Sequence, residues 1–164
     1  MAAILGVLGA VSAYLGLFPK RAVPMETCLA KSLERFPGRT IWVEYLTTEH
    51  ERFYEFEVET TDGHVLNVEC NAETGEIVEY SRHASPEDPL FAQAVAITFE
   101  KARALALAVK PGRIVSAETY FHNDRTPFYE FDVITPAGKE YKIEIDGTKG
   151  EVVAVEDEAW EIGG

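Results

Sequence analysis

The strongest constraint on this chain is that it writes one stretch twice. Phe53 to Glu79, FYEFEVETTDGHVLNVECNAETGEIVE, returns as Phe128 to Ala154, FYEFDVITPAGKEYKIEIDGTKGEVVA, at an offset of 75 residues with no gap and eleven of twenty-seven paired positions identical. The identities include Tyr54/Tyr129, Phe56/Phe131, Gly63/Gly138 and Gly75/Gly150. A repeat of this length is one supersecondary unit used twice. It divides the 164 residues into an apolar N-terminal segment, residues 1–21, and two modules, residues 22–83 and 84–164. Modules this small bury only about 60% of their unfolded surface, so each is expected to gain core by packing on the other or on a partner.

Each module reads as a helix followed by about four antiparallel strands, an α+β unit. In the first, Met25, Leu29, Leu33 and Phe36 share one helix face, and Pro37-Gly38 ends the helix. A strand follows over Thr40 to Leu46. In the next strand Tyr54, Phe56 and Val58 alternate with Glu55, Glu57 and Glu59. Asp62-Gly63 turns the chain, Leu66, Val68 and Cys70 face the core on the return, and a last strand runs from Glu76 to Tyr80. The three glutamates are expected on a solvated face, available to a partner. In the second module Ser85, Pro86 and Asp88 read as a helix start. The run LFAQAVAITFEKARALALAV then reads as one long apolar helix ending at Pro111-Gly112-Arg113. Its first part, with Leu90, Phe91, Val95 and Ile97, has no counterpart before Met25 and is expected to contact the other module or a neighbouring subunit. The acidic tail EDEAWEIGG gives no reading.

The segment Met1 to Phe18, MAAILGVLGAVSAYLGLF, carries no charge and stops at Pro19, Lys20 and Arg21. Eighteen residues span about 27 Å as a helix, the short end of what crosses a bilayer. A cleaved signal peptide would want a basic start, which is missing, although Val11-Ser12-Ala13 could be cut. A retained helix is the favoured reading. Gly6, Gly9, Ala10, Ala13 and Gly16 lie on small-residue faces that let helices approach closely in lipid or in an assembly. Lys20 and Arg21 after the segment argue for a cytoplasmic globular part and leave orientation open.

Charge excludes some functions. Of the formal net charge of −13, Pro24 to Arg82 carries −8 and His83 to Gly164 carries −7, the balance being Lys20 and Arg21. An evenly acidic chain suits neither nucleic acid nor charge-driven docking on anionic lipid. The spacing of Glu55, Glu57 and Glu59, about 6.8 Å between neighbours on the face, resembles that of glycosidase carboxylates. Solvated charges so spaced repel by only about 0.6 kcal/mol, so no pocket is implied and no catalytic residue is expected. His50, His64, His83 and His122 show no metal-ligand pairing and read as surface or turn residues. Calcium at Asp146 to Gly150 is opposed by Lys149. No metal and no cofactor is therefore expected. Cys28 and Cys70 align with Ala102 and Ile145, both inward positions, and are either a helix-to-sheet disulfide or two packed thiols.

The order helix, Pro-Gly, strand, FYEFEV-type strand, glycine turn, and a closing T-G-E-I or K-G-E-V resembles the PepSY domain, present in tandem over Met25 to Tyr80 and Ala92 to Val155. The resemblance rests on turn glycines and strand aromatics and carries no catalytic residue. It implies an extracytoplasmic protein, secreted or membrane-attached, of a kind found in metalloprotease propeptides and acting by binding or inhibition. Three functions follow as expectations. The first is a non-enzymatic interaction protein of the cell envelope held by its N-terminal helix. The others are a self-assembling, oligomeric or filamentous structural subunit, and a peptidase inhibitor or propeptide-like chaperone.

Overall fold

A computed structural model describes residues 21–163. The small-residue positions Gly6, Gly9, Ala10, Ala13 and Gly16, and the apolar segment that carries them, lie outside the described residues. In the first module α1 (Met25–Arg35) precedes β1 (Gly38–Thr47), β2 (Arg52–Thr60), β3 (Val65–Asn71) and β4 (Ile77–His83). In the second, α2 (Pro89–Ala94) and α3 (Phe99–Val109) precede β5 (Arg113–His122), β6 (Pro127–Ile134), β7 (Glu140–Asp146) and β8 (Val152–Gly163).

Alternation fixes which side of each strand is apolar. Tyr54, Phe56 and Val58 on β2 join Val68 and Cys70 on β3 in one buried cluster, against which Leu29, Leu33 and Phe36 of the α1 segment pack. Phe131 and Val133 on β6 join Ile143 and Ile145 on β7 in a second cluster, closed over by Ala102 and Ala106 of α3. Burying a side chain such as Phe56 or Phe131 fully, both at 0% exposure, stabilises by about 1.5–3 kcal/mol. Each helix thus lies on the outer, apolar face of its sheet.

The long helix expected from Leu90 onward is broken in two. Val95 is extended, with φ −77° and ψ 139°. The Ala96 and Ile97 amides then donate to Gly147 O, at 2.8 and 3.1 Å. Thr98 starts α3 by accepting the Lys101 amide on its side chain. The start of α2 also moves: Asp88, not Ser85, is the cap, accepting from Leu90 N with Pro89 in the first turn. The turn's hydrogen bonds won over apolar periodicity.

The tail without a reading becomes β8, and it decides the architecture. It pairs with β7 and also with β1, through Val43↔Ile162, Tyr45↔Trp160 and Thr47↔Asp157, so the eight strands close into an antiparallel barrel in sequence order. Tyr45 and Trp160 stack at 5.6 Å across that seam. The other seam between modules is short: β4 meets β5 only through Ser81↔His122, Arg82↔Phe121 and His83↔Tyr120. Gly38 and Gly112, the equivalent glycines of the two Pro-Gly stops, press on the next strand, where an added Cβ would fall 2.2 Å from Glu59 O and 2.4 Å from Ile134 O.

Candidate functional site

Because the apolar faces turn outward beneath helices, the opposite faces of the two sheets are enclosed together. Those are the acidic faces. The expectation that Glu55, Glu57 and Glu59 form a solvated stripe fails for the first of them: Glu55 is 6% exposed. Glu57 is half-buried, and only Glu59 is open, paired with Arg39 at 2.7 Å. The second module's sheet covers what a lone sheet would have left in water.

Lys142 on β7 stands at the centre, its side chain 3% exposed. Its Nζ lies 2.6 Å from Glu44, 2.6 Å from Glu55 and 3.5 Å from Glu130. Asn67 Nδ2 donates to Glu55 at 3.3 Å. Burial opposes the charge on Lys142, but Glu130, Glu55 and Glu44 hold its pKa well above the ordinary lysine value. Those carboxylates favour the ammonium form of the lysine. Around it, burial pushes carboxyls up: Glu130 well above its usual range, Asp132 and Glu144 to about 7, and Glu156 and Glu158 to about 8. Like charges add to that shift. One ammonium cannot balance so many carboxylates, and protonation of several is the physical answer. Asp132 Oδ1 and Glu156 Oε2, buried with no hydrogen-bond partner among the described residues, fit neutral carboxyl groups.

Two histidines, expected at the surface, join this interior at the short seam. His83 Nε2 lies 3.3 Å from Glu118 and 3.6 Å from Glu57. Burial lowers its pKa although Glu118 opposes. His122 Nδ1 lies 2.6 Å from Glu79 and Nε2 3.8 Å from Glu144. Burial again disfavours its charge, but the Glu79 hydrogen bond and the Glu79 and Glu144 charges prevail and raise its pKa. His50 and His64 are exposed.

The interior opens at one end as a cavity of about 330 Å³ in which nine carboxylates and Lys142 converge. Glu44, Glu158 and Glu161 bring oxygens within 4.8 Å of one another there. Burial raises the pKa of Glu158 and of Glu161, which eases the approach of these carboxyls. At Asp146 to Gly150, Asp146 Oδ1 accepts the Thr148 and Lys149 amides at 2.7 and 2.9 Å, closing a turn, and Lys149 Nζ lies 3.5 Å from Oδ2.

The other expected positions separate. Phe91 (1% exposed) and Ile97 (7%) lie in the second module's own core with Tyr129, and half-buried Val95 packs against it. They are therefore not an outward surface, because the kink at Val95 folds the segment onto its own sheet. Leu90 alone remains open, at 66% exposure. Cys28 and Cys70, both at 0% exposure, are joined as a disulfide, with Cα atoms 5.7 Å apart. Among the described residues no helix is long and apolar enough to cross a membrane. Sequence reasoning missed Lys142, Glu44, Glu130 and Glu156. The available signal was Lys142 itself, a cation on the acidic face of a strand whose other face is apolar.

The family comparison matches residues 22–80 and 96–156 to PepSY, the peptidase propeptide and YPEB domain. No curated protein matches the chain. Among solved structures, a candidate lipoprotein from Clostridium difficile 630 is 19% identical, with 85% of this chain and 95% of that chain covered and a TM-score of 0.35. That superposition is too loose to carry an argument. The repeat, its two apolar cores under helices and the two matched spans agree, and the chain belongs to the PepSY family as a tandem pair.

Proposed function

We propose that the protein is a non-catalytic binding protein of the cell envelope, an accessory subunit held by its N-terminal apolar segment, whose partner is another protein. The observation that carries the envelope assignment is the Cys28–Cys70 disulfide, closed between α1 and β3 inside the first core. Such bonds persist in oxidising compartments and are rare in reducing ones. The non-catalytic part is supported by the pairing of Lys142 with Glu44 and Glu55, which takes up the buried ammonium of this interior.

The test is cell fractionation of the full chain with thiol trapping before lysis. The protein is expected in the envelope fraction with both cysteines unreactive until reduced; a cytosolic protein with two alkylated thiols overturns the reading. The family description, which names peptidase propeptides, favours one second reading, inhibition of a peptidase. Titrating residues 21–164 into a panel of metalloproteases separates the two, since only the inhibitor lowers their activity at stoichiometric concentration.

A further inference from the structure

The short seam between modules leaves a strand edge open. β4 runs Ile77–His83, but its pairing with β5 begins only at Ser81. Ile77 to Tyr80 therefore run past the end of β5 with β3 as neighbour on one side and no strand on the other. Next to this edge lies a cleft of about 640 Å³, a size typical of ligand sites. Its walls are apolar: Leu66, Tyr80, Leu90, Ala94 and Phe121.

The cleft also differs in charge from the rest of the molecule. The chain has 28 acidic residues, yet no carboxylate lines the cleft; its polar lining is the guanidinium groups of Arg82 and Arg125, Asn123, and His122, whose Nδ1 is paired with Glu79 at 2.6 Å. Arg82 lies over the Phe121 ring, 5.8 Å from its centroid. Neither arginine makes an ion pair with a described residue, whereas Arg39 and Arg52 are paired with Glu59 and Glu73. Arg125 is moreover the one described non-glycine residue with positive φ, 70°. That conformation costs an L-residue about 1–2 kcal/mol, so the turn holds an arginine where glycine would be easier. Exposed Leu90 completes the rim.

We infer that this cleft and the open β4 edge take the C-terminal segment of a partner polypeptide, with a large apolar last side chain in the cleft and its α-carboxylate on Arg82 and Arg125. This deepens the binding reading above and rests on it. An α-carboxylate sits within one residue's width of its own apolar side chain, which matches two guanidinium groups lining the same cleft as Leu66, Tyr80 and Phe121. The strand edge decides for a polypeptide over a fatty acid, because only a peptide main chain can hydrogen-bond along it. Charge complementarity decides for an anionic terminus, since elsewhere this acidic surface repels one.

The probe is an array of fluorescent hexapeptides ending in each of the twenty residues, made as free acids and as C-terminal amides, titrated against the full chain. Free acids ending in Leu, Ile, Phe or Val are expected to bind saturably, and their amides at least ten-fold more weakly. Arg82→Gln with Arg125→Gln should weaken the free acids at least ten-fold and abolish discrimination against the amides. Ala94→Trp, which fills the cleft without touching either charge, should remove binding of both. Both variants are checked for an unchanged melting temperature. Equal binding of acids and amides, no saturable binding of any peptide, or binding of oleate but no peptide overturns the assignment. In-cell cross-linking of the wild type and the double arginine variant separates this failure from that of the parent reading. If peptides do not bind but both proteins keep the same cross-linked partners, the cleft is wrong and the binding role stands. If neither cross-links to any envelope protein, both fall.

Discussion

Lys142 on β7 holds Glu55 on β2 at 2.6 Å, so the one buried ammonium of the second module is neutralised by a carboxylate of the first. Glu44 on β1 holds the same nitrogen at 2.6 Å from a different strand of that module. The contact joins the two repeats through charge rather than through shared apolar core. It explains how two acidic sheets can face each other at all.

Removing that ammonium should cost more than removing a surface charge. Lys142→Met leaves Glu44, Glu55 and Glu130 enclosed with no counter-charge, and loss of one partner of a buried pair costs about 3–5 kcal/mol. Urea unfolding at pH 7.5 is the measurement. The deficit should shrink at pH 5, where the stranded carboxyls can bind protons. A loss below 1 kcal/mol at pH 7.5 would show that the lysine is not the keystone of the interior.

Stability should fall as pH rises through neutrality. Asp132 and Glu144 are held near 7, and Glu156 and Glu158 near 8. Each binds its proton more tightly in the folded than in the unfolded chain. Each therefore adds stability that is complete below its unfolded pKa of about 4 and lost as pH climbs through 7 to 8. His83, with its pKa lowered by burial, acts in the opposite sense below about pH 6.5. The melting temperature is expected to be highest on the acid side of neutral and to decline from about pH 5 to pH 8, between the unfolded and folded pKa values of these groups. A flat profile over that range contradicts the interior described here.

Opening the disulfide should weaken the first module. The bond closes a 42-residue separation between α1 and β3, and constraining a loop of that length is worth about 4 kcal/mol on a chain-entropy basis. Replacing both cysteines by alanine avoids stranding a thiol. The variant should unfold at lower denaturant, read by guanidinium titration, and wild type in reductant should follow it.

The two Pro-Gly stops are a paired test of the repeat. At Gly38 and Gly112 the next strand's carbonyl occupies the space of a side chain. Gly38→Ala and Gly112→Ala should each destabilise by about 1–3 kcal/mol, the ordinary cost of forcing atoms into a packed site. Gly63→Ala is the control for steric fit, since nothing lies within 4 Å of its added Cβ, and its cost should come from its φ of 85° alone. Equal losses at all three positions would mean that strand approach is not what selects glycine at the stops.

The residues that carried the sequence reading also show where it ran out. Period-two alternation placed Tyr54, Phe56 and Val58 on one side, and that side is buried beneath α1. The same alternation placed Glu55 opposite them, and water was the default occupant of that side. Alternation cannot say that a second sheet lies there instead. The misread helix has a similar cause: the run from Leu90 to Val109 is largely apolar with no break signal, and periodicity cannot see that Gly147, about fifty residues away, takes up the Ala96 and Ile97 amides.

By itself the sequence determined the unit and its number, because the repeated turn glycines and alternating aromatics are local instructions that each copy obeys independently. Only the tertiary structure decided what the acidic faces are for. Closure through β8 requires Val43 to meet Ile162 and Tyr45 to meet Trp160 across more than a hundred residues, a pairing that no local pattern encodes. Once the barrel closes, carboxylates that a single module would leave ionised in water lie in a low-dielectric interior around Lys142. There, desolvation and mutual repulsion set their protonation.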